Sequence, residues 1–312
     1  MTNPKETSRR KAIKVALFAS LGFVALSSAF AQNYPDKPVR IIVPYPAGAT
    51  ADVMMRMIGQ RLNEKFGQQF VIDNRAGGGG LAATKAAADA PPDGYTLLFN
   101  GPNHVTNLGL YKNVPYDPIT DFVPVTQVAS AQVVFVASSA SGLKTIEQVV
   151  AAAKAKPSVL NYASSGTGTG THLSMEMLIR ATGTKFVHVP YKGASPAAIA
   201  IAGGEVDVGF GAVPLVIPLI DSKRVTPILV GGNKRLQAFP SVPSLGELGM
   251  LNFDVDIWFG LLAPKNTPLA VVDALGQEIR RILKEPAIQE RFATIGFAVV
   301  GSTRTDFETF KP

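Results

Sequence analysis

The sequence predicts an α/β protein of two lobes, each a mostly parallel sheet flanked by helices, with a ligand cleft between the lobes. Short apolar segments alternate with amphipathic segments of about 10–15 residues, which is typical of βαβ units. The alternation stops once, in a Pro- and Asp-rich stretch at residues 115–124, and then resumes. In each block, one strand runs into a small-residue loop that opens a helix, and such loops commonly bind ligands.

The first block begins at residues 39–43, a continuous apolar run that suits a strand buried on both faces. A helix follows, with an apolar face that includes Met54, Ile58 and Leu62, and it ends near Gly67. The sequence then predicts a strand at 70–73, a four-glycine turn at 77–80, a helix at 81–90 and a strand at 95–100.

The second block contains the elements predicted after the interruption. They are strands at 131–138, 160–163, 186–189 and 206–210, and helices at 145–155, 171–182 and 196–202. Residues 226–230 and 257–263 predict further strands, and 268–283 predict an amphipathic helix. Because α/β material follows the second block, we expect lobe 1 (residues 32–125 and 231–312) to be interrupted by lobe 2 (residues 126–230). Two connections between lobes, near residues 125 and 230, would permit closure over a ligand.

The N-terminal residues predict an export signal. An uncharged run of 15 residues, from Val15 to Ala29, is followed by Ala29-Phe30-Ala31. Five basic residues precede it: Lys5, Arg9, Arg10, Lys11 and Lys14. This pattern favours cleavage after Ala31 and a periplasmic location. An uncleaved membrane anchor is the alternative, but the run is shorter than the roughly 20 residues that a spanning helix needs.

The net charge does not indicate a nucleic-acid partner. The full chain of 312 residues has 30 basic and 23 acidic residues, a formal charge of +7. The signal region carries five of the basic residues and one acidic residue, so 25 basic and 22 acidic residues are left, a charge of +3. We expect no nucleic-acid binding from so small an excess.

The residue inventory excludes several chemistries. The chain has no Cys, which rules out disulfides, thiolate metal sites and a Cys nucleophile. Its three His, at 104, 172 and 188, are not at metal-ligand spacing, and neither nucleotide-binding glycine motif is complete. We therefore expect no metal and no cofactor. The nearest serine-hydrolase motif, residues 193–197 (GASPA), lacks the last glycine and has Pro after Ser195.

The first loop, from Tyr45 to Asp52, joins the buried strand at 39–43 to a helix N-terminus. Gly48 permits close approach, and the small residues Ala47, Ala49 and Thr50 leave backbone N–H groups uncovered. Such groups at the positive end of a helix predict an anion site. Asp52 fits two roles, a residue favoured by the helix dipole or an acceptor for a ligand ammonium group.

A second loop of the same kind runs from Ser164 to His172. It offers several hydroxyl groups in addition to backbone donors, and neither loop contains Lys or Arg. The two loops therefore predict neutral, directional hydrogen bonding to an anion, most naturally a carboxylate. Tyr191 and Lys192, at the end of the strand at 186–189, are placed to reach the same cleft or to form an ordinary turn.

Several segments in combination resemble the solute-binding subunits of tripartite tricarboxylate transporters, the Bug or TctC-like family. They are residues 34–48 (YPDKPVRIIVPYPAG), 74–78 (NRAGG), 92–97 (PDGYTL), 189–193 (VPYKG), 204–207 (GEVD) and 258–261 (WFGL). The resemblance covers nearly all of residues 34–305. One departure is Gly48-Ala49, where family members often carry Gly-Gly.

The resemblance implies a type II-like periplasmic binding protein that captures a small organic carboxylate and delivers it to the membrane subunits of a transporter. It implies that backbone amides of the two loops and ordered water hold the carboxylate. The ligand-binding residues carried over are Tyr45, Ala47, Gly48, Ala49, Thr50, Asp52, Ser164, Ser165, Gly166, Thr167 and His172, with Tyr191, Lys192 and Asp207 as further lining.

We therefore expect a monomeric, non-enzymatic binding protein without catalytic residues. Two alternatives stay open at this point. One is a secreted hydrolase that acts on carboxylate esters, and the other is a ligand-binding accessory of a sensor system.

Overall fold

The computed structural model describes residues 34–249 and 256–309, which contain ten strands and ten helices. The strands are β1 (Val39–Val43), β2 (Phe70–Asn74), β3 (Thr96–Asn100), β4 (Phe122–Ser138), β5 (Asn161–Ser164), β6 (Val187–Pro190), β7 (Val208–Ala212), β8 (Val225–Val230), β9 (Asp256–Pro264) and β10 (Ala298–Val299). The helices are α1 (Thr50–Phe66), α2 (Leu81–Ala88), α3 (Asn103–Leu110), α4 (Ile146–Ala155), α5 (Gly170–Thr182), α6 (Ala194–Gly203), α7 (Val213–Asp221), α8 (Leu269–Ile282), α9 (Pro286–Thr294) and α10 (Arg304–Thr309). The expected signal peptide lies outside the described residues.

Two groups of parallel strands lie at the two ends of one hydrogen-bonded path, in the order β2-β1-β3-β9-β4-β7-β5-β6. β1 pairs in parallel with β2 and β3, and β5 pairs in parallel with β6 and β7. The antiparallel strands β9 and β4 join the two groups. The predicted α/β fold class is confirmed.

Buried apolar residues explain why β1 is central to the first group. Ile41, Ile42 and Val43 are fully buried, because helices cover both faces of a parallel sheet. α1 packs its buried face, which includes Met54, Ile58 and Leu62, on this sheet and ends at Gly67 in the left-handed region (φ 68°). The sequence therefore specified both the strand and the end of the helix.

β4 connects the two groups as a single strand of 17 residues. Its residues up to Gln132 pair with β9, and from Val133 onward it pairs with β7 and β8. The expected lobe boundary at residue 125 therefore falls inside an unbroken strand, and the change of partner comes at 132/133. The first half of β4 was not predicted as a strand, because Pro124 and the polar residues near it interrupt the apolar pattern.

The segment after β8 packs with the second group. Phe239 and Val242 join the buried cluster that contains Val134, Val136 and Val230. The N–H of Leu245 donates to the carbonyl of Val230 at 3.0 Å. The chain therefore continues to contact the second group of strands beyond residue 231.

Five described elements had no predicted counterpart: α3, α7, α9, β10 and α10. α3 buries the polar residues Asn103, His104 and Asn107 and exposes Leu108 and Leu110, so its buried face is not the apolar one. β10 is only two residues long, and its strand conformation depends on pairing with Ala129 and Ser130 of β4. These elements depend on distant contacts that local patterns do not report. Within residues 34–249 and 256–309, no helix is both long enough and apolar enough to cross a bilayer.

Candidate functional site

The carboxyl ends of the parallel strands meet at one cleft. Six loops or helix starts follow β1, β2, β3, β5, β6 and β7, and each contributes residues to the cleft lining. Open parallel sheets commonly bind ligands at this edge, where helix N-termini also lie. The topology therefore brings together loops that are more than 100 residues apart in the sequence.

The first loop is fastened to α1 by Asp52. Its carboxylate accepts the Gly48 N–H at 2.8 Å and the Arg56 Nε–H at 3.0 Å. Burial alone favours the neutral acid, but the hydrogen bonds from Arg56, Gly48 and Asn74 outweigh it and hold the pKa of Asp52 below its usual value. Gly48 adopts φ +80°, which a residue with a side chain rarely adopts. Asp52 thus stabilises the conformation of the first loop through its hydrogen bond to Gly48.

Tyr45 forms the wall between the loop and the sheet. Its hydroxyl donates to Asn103 Oδ1, and its ring lies edge-on to Phe259 at a centroid distance of 5.6 Å. Burial raises the pKa of the Tyr45 phenol, so it stays protonated. Asn74 Nδ2 also donates to the Tyr45 carbonyl at 3.2 Å. Tyr45 is therefore a fixed, neutral part of the cleft.

Three hydroxyl groups shape the second loop. The Oγ atoms of Ser165, Thr169 and Thr171 lie 2.9–3.2 Å from one another, and the Ser165 N–H donates to Thr171 at 2.9 Å. Thr169 Oγ1 also donates to the Gly166 carbonyl at 2.7 Å. No side chain caps the N-terminus of α5. The hydroxyls hold the loop and leave the first N–H groups of the helix to the cleft.

A column of stacked rings supports the second loop from beneath. His172 and His188 stack at 4.3 Å, and Tyr162 stacks on His188 at 4.7 Å. Ser164 Oγ lies 2.6 Å from His188 Nε2, and the Gly168 N–H donates to His172 Nδ1 at 3.2 Å. Burial, reinforced by the neighbouring His172, lowers the pKa of His188 to about 4, and burial also lowers the pKa of His172. Both rings are neutral at neutral pH.

The inner part of the cleft is a cavity of about 50 Å³, which we call the inner chamber. The first residues of three helices line it: Ala49, Thr50 and Ala51 of α1, Thr169 and Gly170 of α5, and Gly193 and Ala194 of α6. Tyr45 and Ser165 supply hydroxyls, and the rest of the wall is Pro102, Ala212, Leu215, Ile257, Phe259, Ile295 and Phe297. The inner chamber therefore combines three helix N-termini with an apolar wall and no charged side chain.

The outer part, which we call the outer chamber, has a volume of about 240 Å³. It shares Tyr45, Ala49, Ser165, Thr169 and Gly193 with the inner chamber, so the two chambers adjoin. Its further lining is Pro44, Pro46, Ala76, Gly77, Gly78, Gly79, Gly80, Asn103, Gly166, Thr167, Tyr191 and Lys192.

Eight of the fourteen residues expected at the site line a chamber. They are Tyr45, Ala49, Thr50, Ser165, Gly166, Thr167, Tyr191 and Lys192. Ala47, Gly48, Asp52, Ser164 and His172 belong to the same two loops but are not lining residues, and at least four of them shape a loop through the contacts described above.

Asp207 lies away from the cleft. It exchanges hydrogen bonds of 2.8 Å with Asn161 at the start of β5, whereas the cleft lies beyond the opposite end of that strand. The carboxylate thus fixes the register of β5 against β7 and is not a lining residue. Its motif suggested a site, but its position at the amino end of a parallel strand places it on the other edge of the sheet.

Comparison with known proteins identifies the family. The family model described as the tripartite tricarboxylate transporter family receptor (TctC) matches residues 54–311. The protein BugT of Bordetella pertussis is 33% identical over 298 residues, covering 95% of this chain and 91% of BugT. The chain belongs to the tripartite tricarboxylate transporter receptor family.

Solved structures of the same kind agree in fold. The periplasmic binding protein BugD is 31% identical, with 88% of this chain and 93% of BugD covered and a TM-score of 0.76. Rpa4515 of R. palustris with adipate is 32% identical (88% and 92% covered), and MatC of Rhodopseudomonas palustris with bound malate is 28% identical (85% and 91% covered), each with a TM-score of 0.76. The chain is thus a periplasmic solute-binding receptor by family, and members of this family are receptors and not enzymes.

Much of the receptor's inner chamber was not foreseen from its sequence. Phe259 lies in the strand predicted at 257–263, and it both packs in the core and lines the inner chamber. Ile295 and Phe297 lie about 250 residues after Tyr45, and no local signal links them to it. The four-glycine turn at 77–80 was visible as a turn, but only the adjacency of β2 and β1 brings it to the cleft.

Proposed function

We propose that this receptor binds a small organic carboxylate in the inner chamber and delivers it unchanged to the membrane subunits of a tripartite transporter. It acts in the periplasm as a monomer, after cleavage following Ala31. The observation that carries the proposal is the convergence of the α1, α5 and α6 N-termini on one small chamber that has an apolar wall.

Each of the three helices begins at the chamber, and no side chain caps its N-terminus. Ala49, Thr169 and Gly193 are the N-cap residues, and none of them accepts a hydrogen bond from its own helix through a side chain. The N–H groups of a first turn have no partner within the helix, and the helix dipole adds partial positive charge. A carboxylate satisfies several such donors at once, as anions commonly do at helix N-termini.

The two lobes each supply part of this anion site. α1 follows β1 in the first group of strands, and α5 and α6 follow β5 and β6 in the second group. We propose that these groups are the cores of the two lobes, with the crossing inside β4, and that a bound carboxylate joins them. A hydrogen bond from Thr106 Oγ1 to the Gly168 carbonyl, at 3.1 Å, already links the two sides at the cleft rim. A ligand that contacts both lobes favours the closed state, which is what a transporter would recognise.

The positions of the serines favour binding over ester hydrolysis. Ser195 is not a lining residue of either chamber. Ser164, the serine that contacts a histidine, is fully buried beneath the second loop, where an ester has no access. We therefore propose that the receptor has no hydrolase activity.

The test places a competing carboxylate at the site. We expect the Ala194→Asp variant to bind adipate or malate about a hundredfold more weakly, or about 2.7 kcal/mol, because the new carboxylate occupies the α6 N–H groups and repels the ligand. Ala287→Asp is the matched control, since Ala287 is an exposed second residue of α9, outside both chambers. An acidic residue in the first turn favours the helix in both variants.

Isothermal titration calorimetry with the acid that binds the unchanged receptor most tightly gives the answer. The proposal predicts lost affinity in Ala194→Asp alone. Equal affinities in both variants would place the carboxylate elsewhere and would contradict it.

A further inference from the structure

His172 holds the tip of the second loop through a hydrogen bond that requires its neutral ring. The Gly168 N–H donates to His172 Nδ1 at 3.2 Å, so this nitrogen must carry a lone pair and not a proton. Gly168 adopts φ +81° and directly precedes Thr169, the N-cap residue of α5, which lines the inner chamber. The position of the α5 N-terminus in the cleft therefore depends on the protonation state of His172.

The same loop tip is held from the opposite side of the cleft by α3. Thr106 Oγ1 donates to the Gly168 carbonyl at 3.1 Å, and a Cβ on Gly168 would lie 3.4 Å from Leu110 Cδ1. Gly168 thus bonds to its own side of the cleft through its N–H and to the other side through its carbonyl. Loss of the acceptor for the N–H would loosen the loop and this contact together.

His188 supports a second backbone group of the loop through Ser164. Ser164 Oγ accepts the Gly166 N–H at 3.2 Å and lies 2.6 Å from His188 Nε2. The His188 ring stacks on His172 at 4.3 Å, so a positive charge on one ring disfavours a charge on the other. Burial, and the charge that His172 carries once protonated, lower the pKa of His188 to about 4. As the pH falls, His172 therefore takes the first proton.

One carboxylate among the described residues acts on this pair of rings, that of Glu176 on α5. Its Oε1 lies 3.9 Å from His172 Nε2 and accepts the Tyr162 hydroxyl of β5 at 2.6 Å. Burial lowers the pKa of His172, and Glu176 opposes this effect. β7 and residues 257–264 of β9, which also pack on α5, contain no titratable side chain. The acceptor state of His172 is thus set by burial, Glu176 and His188.

We propose that His172 is a positioning residue for carboxylate binding, whose neutral ring holds the second loop in its binding shape, so that acid weakens binding. This inference rests on the proposed function, and it adds a pH control to the same site. Protonation at Nδ1 replaces the acceptor by a donor that faces another donor, the Gly168 N–H, and the loop must change shape. Because the binding form carries one proton fewer, affinity is full above the titration range of His172 and falls as the pH decreases through it.

The test measures affinity as a function of pH. After unfolding and refolding to remove bound ligand, dissociation constants for adipate, malate and a wider series of organic acids are measured by calorimetry from about pH 8 to about pH 5. The proteins are the unchanged receptor, His172→Leu, His172→Asn and His104→Gln. The Oδ1 atom of Asn takes the place of Nδ1 and accepts the Gly168 N–H without titrating, whereas Leu leaves this N–H without an acceptor. His104, a buried histidine at the Pro118 carbonyl and outside both chambers, is the matched control.

Between these pH values, we expect the affinity of the unchanged receptor to fall about tenfold more than that of His172→Asn, since one pKa unit between two states changes an equilibrium constant tenfold. His172→Leu should bind about tenfold more weakly already at the highest pH, as loss of a buried hydrogen bond would give. His172→Asn should restore most of this loss, and His104→Gln should behave as the unchanged receptor. Protonation of the acid itself is the same in all four proteins and cancels in the comparison.

Two results would overturn the inference while leaving the proposed function standing. One is an equal pH dependence in His172→Asn and the unchanged receptor, and the other is full affinity in His172→Leu. Absence of binding by every acid would instead contradict the proposed function. The amide resonance of Gly168 in the unliganded receptor tests the hydrogen bond separately: it should shift with the titration of His172 and stay constant in His172→Asn. A resonance that stays constant in both proteins would also overturn the inference.

Discussion

Single residues in this receptor act mainly by holding backbone in place. Asp52 and His172 are ligand-binding candidates from the sequence, and in the structure their side chains accept the N–H groups of Gly48 and Gly168. The sequence located the two loops correctly, because a strand, small residues and a helix start are local signals. The sequence did not distinguish the residues that line the cleft from those that support the loops, because this depends on whether a side chain points toward the cleft or away from it.

His104 gives a residue-scale prediction about pH. Its ring is buried between Tyr116 and Phe122, its Nε2 lies 3.0 Å from the Pro118 carbonyl, and its Nδ1 has no hydrogen-bond partner among the described residues. Burial lowers the pKa of His104 to about 4, against the opposing effect of the Pro118 carbonyl. An unfolded histidine titrates near pH 6.5, so between about pH 6.5 and 4 the unfolded chain binds a proton that the folded chain does not.

The free energy of unfolding should therefore decrease as the pH is lowered from about 6.5 to 4. His104 should account for up to about 3 kcal/mol of this decrease. Gln at position 104 can still donate to Pro118 but does not titrate. Urea unfolding at a series of pH values should show that the free energy of unfolding declines less steeply in His104→Gln than in the unchanged receptor. His172 and His188 are present in both proteins, so their contributions cancel in this comparison. Equal declines in the two proteins would refute the assignment.

At the scale of elements, the cleft depends on how closely α5 approaches β9. A Cβ on Gly170, the first residue of α5, would lie 2.8 Å from Ile257 Cγ1 and 3.5 Å from Pro102 Cγ. Both neighbours belong to segments on the opposite side of the cleft and line the inner chamber. Glycine at this position therefore sets the distance between the two sides of the site.

Gly170→Ala should weaken carboxylate binding about tenfold, about 1.4 kcal/mol, because either Ile257 leaves its rotamer or the two sides separate. Gly203→Ala is the control, since a Cβ on this residue of α6 lies no closer than 3.9 Å to its neighbours. Calorimetry and thermal unfolding of both variants separate binding from stability. If Gly170→Ala binds as tightly as Gly203→Ala, the close approach has no role in the site.

At the scale of the whole molecule, β4 joins the two groups of strands, with β9 and β7 on either side of the change of partner. The α/β class and most strands followed from the sequence, because alternation of apolar strands and helices is a local pattern. The change of partner did not, since a single strand, Phe122–Ser138, pairs with β9 up to residue 132 and with β7 and β8 from residue 133 onward. The inner chamber likewise needs Ile295 and Phe297, which only the tertiary fold brings to Tyr45.

The most direct test of the central claim, that the cleft binds a carboxylate and returns it unchanged, is a thermal-shift screen of residues 32–312. The protein, first freed of bound ligand, is heated with organic acids such as adipate and malate and with adipamide, the neutral diamide of adipate. A carboxylate at 100 times its dissociation constant adds about 2.7 kcal/mol, which for a chain of this size is a shift of several degrees, at roughly 2–4 °C per kcal/mol. We predict such a shift with at least one acid and none with the diamide, and recovery of the acid intact by mass spectrometry. No shift with any acid, or an acid recovered as a new product, would contradict the account.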